Sequence, residues 1–350
     1  MLRRHRRRRG APRTGCTRHR GRPVGLSTVA PRLGLALLPT PLARLERLER
    51  ALGAPPLYCK RDDLCGFALA GNKTRALEFL VGDALAEGCD ALVTGGGPAS
   101  SYCQGAAAAA AVARMGCTLV LYGDEPPLPH PNLVLARRFG AEVRFTGDPR
   151  RESVDAGLED AAAELRGAGH RPYVVPRGGA RGVATLGYAA AATEAFEQLD
   201  AVGVEPSLML VATGSGVSQA GLVAGLAAED RRMRLAGAAV SRPVDETAER
   251  VLALAGEGAA LLGAPAPAAS SVEVHDARGP GYGIPSAEGE RATALAATHE
   301  GLILDPAFTA KAFGLLLRLL AAGDVDGPVL LWHTGGIAVA LAHRAAGSDL

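Results

Sequence analysis

The chain has very little lysine. Of its 38 basic residues only Lys60, Lys73 and Lys311 are lysines, and the rest are arginines. Arginine carries the same charge but does not give up its proton, so only a lysine can present a neutral amine. The three lysines are either remnants of a biased composition or positions where an amine is required. Aromatic residues make up only 4%, so Ala, Leu and Val must fill the interior. The six cysteines, Cys16, Cys59, Cys65, Cys89, Cys103 and Cys117, form no CxxC pair. That argues against a disulfide or zinc framework and for reduced thiols in a cytoplasmic protein. The eight histidines show no HExxH or comparable spacing, so no metal is expected. No run is long and apolar enough to span a membrane as a helix.

Acidic residues are missing from the first 24 positions, which hold ten arginines. Removing them leaves 28 basic against 36 acidic residues, an ordinary acidic body with no call for nucleic acid as a partner. Residues 1–25 are expected to be a disordered Arg-rich tail. Binding to nucleic acid or an anionic surface is one role for it, and a non-functional extension from an upstream start is the simpler one. No apolar segment follows that would make it a secretory leader.

What the chain does contain is alternation. A length of 350 residues suggests about two domains or one large α/β unit. Alanine runs such as "AAAAAAVA" (106–113) and "AAAAT" (189–193) read as helix, because alanine is the best helix former. "LPTPLARLERLERAL" reads as a turn and an amphipathic helix, and "PLYCKRDDL" as a short strand. From there Val- and Leu-rich strands alternate with helices, which means mostly parallel sheet covered on both faces. The number of strands predicts two such sheets.

Ligands of open α/β sheets sit beyond the carboxyl ends of the strands. Three glycine-rich turns fall there: "TGGGPASS" (94–101), "TGSGVSQ" (213–219) and "HTGG" (333–336). Glycine lets the backbone approach an anion, and a helix N-terminus offers free N–H groups. Each turn is a candidate phosphate or carboxylate seat or simply a tight turn. None has the Gly-Lys-Ser/Thr of a P-loop or the spacing of a dinucleotide fingerprint. A phosphate cradle together with a singular lysine suits pyridoxal phosphate, which forms a Schiff base with an amine.

The blocks "YCKRDDLCGFALAGNKTRALEFL", "TGGGPASSYCQG", "PRGGARGVATLGY", "TGSGVSQAGL", "GPGYGIP", "HEGLILDPAFTAKA" and "LLWHTGG" resemble the D-cysteine desulfhydrase / 1-aminocyclopropane-1-carboxylate deaminase family, in order, over about residues 36–345. The resemblance implies the fold type II of pyridoxal-phosphate enzymes, related to the tryptophan synthase β chain, with the cofactor in a cleft between two domains. Residues 26–80 and 184–350 would form the large domain and 81–183 the small one. Lys73 would carry the cofactor, with Asn72 and Ser101 beside it. Gly214, Ser215, Gly216, Val217 and Ser218 would hold its phosphate, and Thr334 would meet the pyridine nitrogen. Ser100 would take the substrate carboxylate, and Tyr282 would line the pocket or move a proton. Ser101, Tyr102 and Phe308 would complete the substrate side.

Two departures stand out. The family's Ser-Asn-His reads Ser100-Ser101-Tyr102, and the tyrosine that assists ring opening reads Phe308. The resemblance therefore implies a lyase that eliminates the β-substituent of a small, D-cysteine-like amino acid, giving pyruvate, ammonia and sulfide. A 1-aminocyclopropane-1-carboxylate deaminase and a cofactor-binding relative without turnover are the alternatives. A homodimer is implied as well. His333, the Asp62–Asp63 pair and Cys103 are read as structural. Deleting residues 1–24 is expected to leave catalytic activity intact, as a comparison of the two proteins' rates would show.

Overall fold

In the computed structural model, which describes residues 30–343, the strands segregate into two sheets. The tail expected over residues 1–25 lies outside the described residues. The larger sheet takes β1 (Leu42–Arg44), β2 (Leu57–Arg61) and, from the second half of the chain, β7 (Leu208–Thr213), β8 (Arg234–Ala239), β9 (Glu273–Asp276) and β10 (Val329–His333). Their order is β1-β2-β10-β7-β8-β9. The smaller sheet is built from one continuous stretch: β3 (Ala91–Gly96), β4 (Gly116–Leu121), β5 (Glu142–Phe145) and β6 (Pro172–Val174), in the order β5-β4-β3-β6. Every pairing is parallel except β1 with β2. The central strands "LMLVAT" and "VLLWH" are buried at every position, as strands covered on both faces must be.

The helices are α1 (Glu46–Leu52), α2 (Lys73–Ala86), α3 (Ser101–Val112), α4 (Pro131–Arg138), α5 (Ser153–Gly167), α6 (Gly182–Ala201), α7 (Val217–Ala228), α8 (Val244–Leu261), α9 (Ala287–Glu300), α10 (Thr309–Ala321) and α11 (Ile337–Ala342). Small residues let α2, α6 and α7 pack backbone to backbone. A Cβ on Gly187 would lie 2.1 Å from the Arg75 carbonyl oxygen, and one on Gly221 would lie 2.3 Å from that of Thr185. Close approach of this kind replaces the aromatic bulk that the composition lacks.

The structure departs from the sequence reading in two places. Residues 42–44 pair with β2 instead of starting a helix, and only Glu46–Leu52 is helical. The Glu49 side chain of that helix accepts the Leu57 N–H at 2.8 Å, so the short helix and β2 begin as one unit. Strand β9 was not anticipated: "EVHD" is four residues long and only partly buried, too little for a period-2 signal.

Beneath the start of α2 lies a buried polar network. Arg75 donates to Asp62 through Nε (2.9 Å) and Nη2 (2.8 Å), and to both carboxylate oxygens of Glu194. Trp332 Nε1 donates to Asp62 Oδ2 at 2.8 Å, and Thr40 Oγ1 to Asp62 Oδ1 at 2.8 Å. Lys60 donates to Glu194, to Gln198 Oε1 (2.6 Å) and to the Thr40 carbonyl (2.7 Å). Burial pushes the Glu194 carboxyl upward, but its contacts with Arg75 and Lys60 win and hold it below the usual range. Removing one partner from such a network leaves an uncompensated buried charge, at a cost of about 3–5 kcal/mol. Arg75→Met is therefore expected to destabilise the protein by about that amount, read as a lower urea midpoint.

Candidate active site

Lys73 is the first residue of α2. The turn before it is shaped by Gly71, whose φ is +57° and whose Cβ would lie 2.5 Å from the Thr334 carbonyl oxygen. Only glycine fits that approach. The same carbonyl accepts the Asn72 N–H at 3.0 Å, so the lysine turn docks on the turn after β10. The Lys73 side chain lines a cavity at the carboxyl ends of β3, β7 and β10. No hydrogen bond or ion pair holds its amine among the described residues. Burial lowers its pKa to about 8, against the opposing pull of Asp305. At Arg the group would stay charged.

Two helix N-termini open on this cavity. At α7, Gly216 (φ +95°) turns the chain into the helix, and no side chain caps the first turn. Free N–H groups and the helix dipole there favour an anion. The loop carbonyls are taken from outside. Arg242 Nη1 donates to the Gly214 oxygen at 2.8 Å, and Arg250 Nε to the Ser215 oxygen at 2.8 Å. Asn72 Nδ2 donates to Ser218 Oγ at 3.1 Å, linking this loop to the lysine turn. Gly214, Ser215, Gly216 and Ser218 line the cavity. The Val217 side chain packs into the core instead.

At α3, Ser100 is the N-cap, and its hydroxyl accepts the Cys103 N–H at 3.1 Å. Its own proton remains available to a carboxylate. Ser101 Oγ accepts from Asn132 Nδ2 at 3.2 Å. Tyr102 touches the cavity, but its ring is buried and its hydroxyl accepts from Thr94 Oγ1 at 3.2 Å. Cys103 is packed, and burial lifts its thiol to about 11, far from a reactive thiolate.

The remaining wall comes from the end of the chain. Phe308 presents its ring 5.9 Å from Lys73 Nζ, and Tyr282 meets that ring edge-on at 5.9 Å. Lys311 holds the loop that carries Tyr282, donating to the carbonyls of Arg278 (2.6 Å) and Gly281 (2.7 Å). Thr334 lines the cavity between Lys73 and the final helix. His333 keeps a structural place: its Nδ1 accepts the Gly335 N–H at 3.2 Å, and its ring lies against Phe313. Asp62 and Asp63 are taken up by Arg75 and Arg61.

Several cavity residues escaped the sequence reading: Tyr122, Arg151, Arg177, Arg242 and Asp305. Asp305 accepts the N–H groups of Ala307, Phe308 and Thr309 and the Thr309 hydroxyl. An Asp just before an apolar helical run is a capping signal, so that residue was findable. Arg151 and Arg242 sit on loops with no local pattern, and Arg177 opens a short 3-10 turn inside the block "PRGGARGVATLGY".

The cavity fits pyridoxal phosphate on its own geometry. It joins an amine of lowered pKa to an uncapped helix N-terminus, and the intervening wall is kept thin by glycine. A Cβ on Gly214 would lie 2.9 Å from the Phe308 ring, and one on Gly178 would lie 2.8 Å from Ser215. Residues 33–335 match the family model described as "Pyridoxal-phosphate dependent enzyme". The chain belongs to this family. It is an enzyme whose cofactor is pyridoxal phosphate.

The chain is 37% identical to a D-cysteine desulfhydrase of Salmonella newport over 335 residues, covering 92% of this chain and 99% of that protein. It is equally 37% identical, over 313 residues, to a Pyrococcus abyssi protein provisionally assigned as a 1-aminocyclopropane-1-carboxylate deaminase, covering 88% and 92%. Among solved structures, an ACC deaminase homologue superposes with a TM-score of 0.83 at 35% identity, covering 89% of this chain and 94% of that one. A fungal L-serine ammonia-lyase from Rhizomucor miehei shares the fold at TM-score 0.65 and 16% identity, covering 89% and 97%. Two parallel-rich sheets with helices on their faces are thus the fold type II architecture expected from the sequence.

Only a neutral amine attacks the cofactor's aldehyde. Reloading of the apo-protein with pyridoxal phosphate is therefore expected to accelerate as pH rises and to level off above about 8. Stopped-flow absorbance across a pH series measures this, and Lys73→Arg should not load at any pH.

Proposed function

We propose that this enzyme eliminates the β-substituent of a small amino acid and deaminates the remainder. With D-cysteine the balance is cysteine plus water to pyruvate, ammonia and hydrogen sulfide. Pyridoxal phosphate, when bound, supplies an aldehyde for the substrate amine and a ring that accepts the electron pair from Cα.

The observation that carries this reading is the apolar wall beside the amine. Phe308 lies 5.9 Å from Lys73 Nζ, where the family's ring-opening members are expected to have a tyrosine. A phenyl ring gives and takes no proton, so Phe308 cannot assist ring opening as that tyrosine would. Lys73 serves as the base at Cα, because its pKa, lowered to about 8, leaves far more of the amine neutral near pH 7 than an ordinary lysine would have. The Ser100 hydroxyl and the first N–H groups of α3 orient the α-carboxylate. Gly214, Ser215, Gly216, Val217 and Ser218 seat the phosphate through backbone amides and the Ser218 hydroxyl. Asn72 keeps that loop in register with Lys73. Ser101, Tyr102 and Phe308 shape the substrate side, and Thr334, a neutral hydroxyl, would meet the ring nitrogen. Tyr282, the phenol that meets the Phe308 ring edge-on, is assigned proton transfer to the departing group.

The large domain is assigned residues 26–80 and 184–350 and the small domain 81–183, with the cofactor between them. A cytoplasmic homodimer completes the reading. Among the described residues no helix is long and apolar enough to cross a membrane, and no cluster of metal-ligating residues occurs.

Ring opening of 1-aminocyclopropane-1-carboxylate is the second reading. It is favoured by the contact of Tyr282 with Phe308, which brings a phenol to the same wall. Product analysis separates the two. D-cysteine should yield pyruvate and sulfide in equal amounts, whereas 1-aminocyclopropane-1-carboxylate would yield 2-oxobutanoate and ammonia. Production of 2-oxobutanoate with no sulfide from D-cysteine would reverse the assignment. Failure of both substrates would favour a cofactor-binding protein without turnover. Lys73→Ala is expected to lower kcat on the order of 10²–10⁴-fold or more.

A further inference from the structure

Four cationic side chains line the cavity: Lys73, Arg151, Arg177 and Arg242. Three are committed. Lys73 is the reactive amine. Arg177 is clasped by Asp155 through Nε and Nη2, each at 2.9 Å. Arg242 pairs with Glu246 at 2.8 Å while donating to the phosphate loop. The Arg151 guanidinium makes no hydrogen bond and no ion pair among the described residues. Its guanidinium lies 4.1 Å from the centre of the Tyr282 ring. The acids near it in sequence are engaged elsewhere, Asp148 with Arg150 and Glu152 with Arg177. Asp305, the acid on the cavity wall, spends its oxygens on the amides and hydroxyl that start α10.

The anions already accounted for do not use Arg151. The uncapped start of α7, backed by Arg242 and Arg250, takes the phosphate. The start of α3 with Ser100 takes an α-carboxylate. A guanidinium left over in the same cavity, held by stacking on an aromatic ring, is a ready bidentate donor for one more anion. Tyr282 connects that site to the reacting centre, because its other side meets Phe308 and Phe308 faces Lys73.

We propose that Arg151 is a specificity-determining residue that binds a second anionic group on the substrate, so that the preferred substrates are small amino acids bearing a phosphate or sulfate ester on the β-carbon. The proposal rests on the elimination reading of the site. For such a phosphate or sulfate ester, loss of the Cα proton and cleavage of the Cβ–O bond release the anion with the bonding pair. Hydrolysis of the remainder with one water gives pyruvate and ammonia, and no oxidant or reductant is needed.

The test compares the holoenzyme with Arg151→Met and Arg151→Lys. The ligands are both enantiomers of O-phosphoserine, set against serine for turnover and affinity, and of aspartate, set against alanine for affinity alone. Calorimetric affinity and kcat/KM are each read as the ratio of anionic to neutral ligand. In the wild type this ratio is expected to exceed about tenfold for one enantiomer. It should collapse in Arg151→Met and partly persist in Arg151→Lys. A wild-type ratio near one, or a ratio unchanged in Arg151→Met, overturns the proposal. Equal losses for neutral and anionic ligands would also overturn it, since they would mean that Arg151 only supports Tyr282. If no amino acid is turned over, the elimination reading fails, and the affinity ratio still decides the role of Arg151.

Discussion

The active site is built outward from one buried ionic contact, the clasp of Arg75 by Asp62 and Glu194. Arg75 lies two residues beyond Lys73 on the same helix. Asp62 follows the end of β2, Glu194 belongs to α6, and Trp332 of β10 donates into the same cluster. The start of α2 is thereby bolted to two central strands and to the helix layer. Buried charges are tolerated only when every one is paired and hydrogen-bonded. That condition admits few geometries, so the position of the Lys73 amine is set by the protein itself. Lys60 completes the cluster as a compact ammonium that reaches three acceptors.

Around that fixed amine, the electrostatics come mostly from backbone. Two helices point their N-termini at one cavity, so peptide N–H groups and dipoles favour anions there beside the cationic side chains that line it. Asp305 illustrates the balance. It would restore the proton affinity of Lys73 if it acted as a free carboxylate nearby. Instead, it caps α10, and burial pushes its own carboxyl upward. Desolvation therefore dominates at the lysine and lowers its pKa to about 8.

How much of this was legible in the sequence differs from feature to feature. The alternation of strand and helix was plain, because parallel strands read as unbroken apolar runs and alanine-rich segments read as helix. Lys73 stood out because arginine is used almost everywhere else. The glycine turns were visible as candidate anion seats, although their pairing in one cavity was not. Asp305 had a capping signature but was read as part of a motif. Arg151 and Arg242 had no signal, since an arginine on a loop looks the same whether it faces solvent or a cleft, and Arg177 was read only as part of a motif.

The sequence by itself determined the class of fold and the family, and it singled out Lys73 as the candidate lysine. These depend on local periodicity, composition and motif, which are written along the chain. Tertiary structure alone decided which cations are spent and which are left over. Pairing depends on distances between residues far apart in sequence, such as Arg75 with Glu194 or Arg151 with Tyr282. It also decided what the other two lysines do. Lys60 completes a buried charge network, and Lys311 holds the Tyr282 loop by two carbonyls. Each depends on acceptors brought together only when the sheet and its covering helices close.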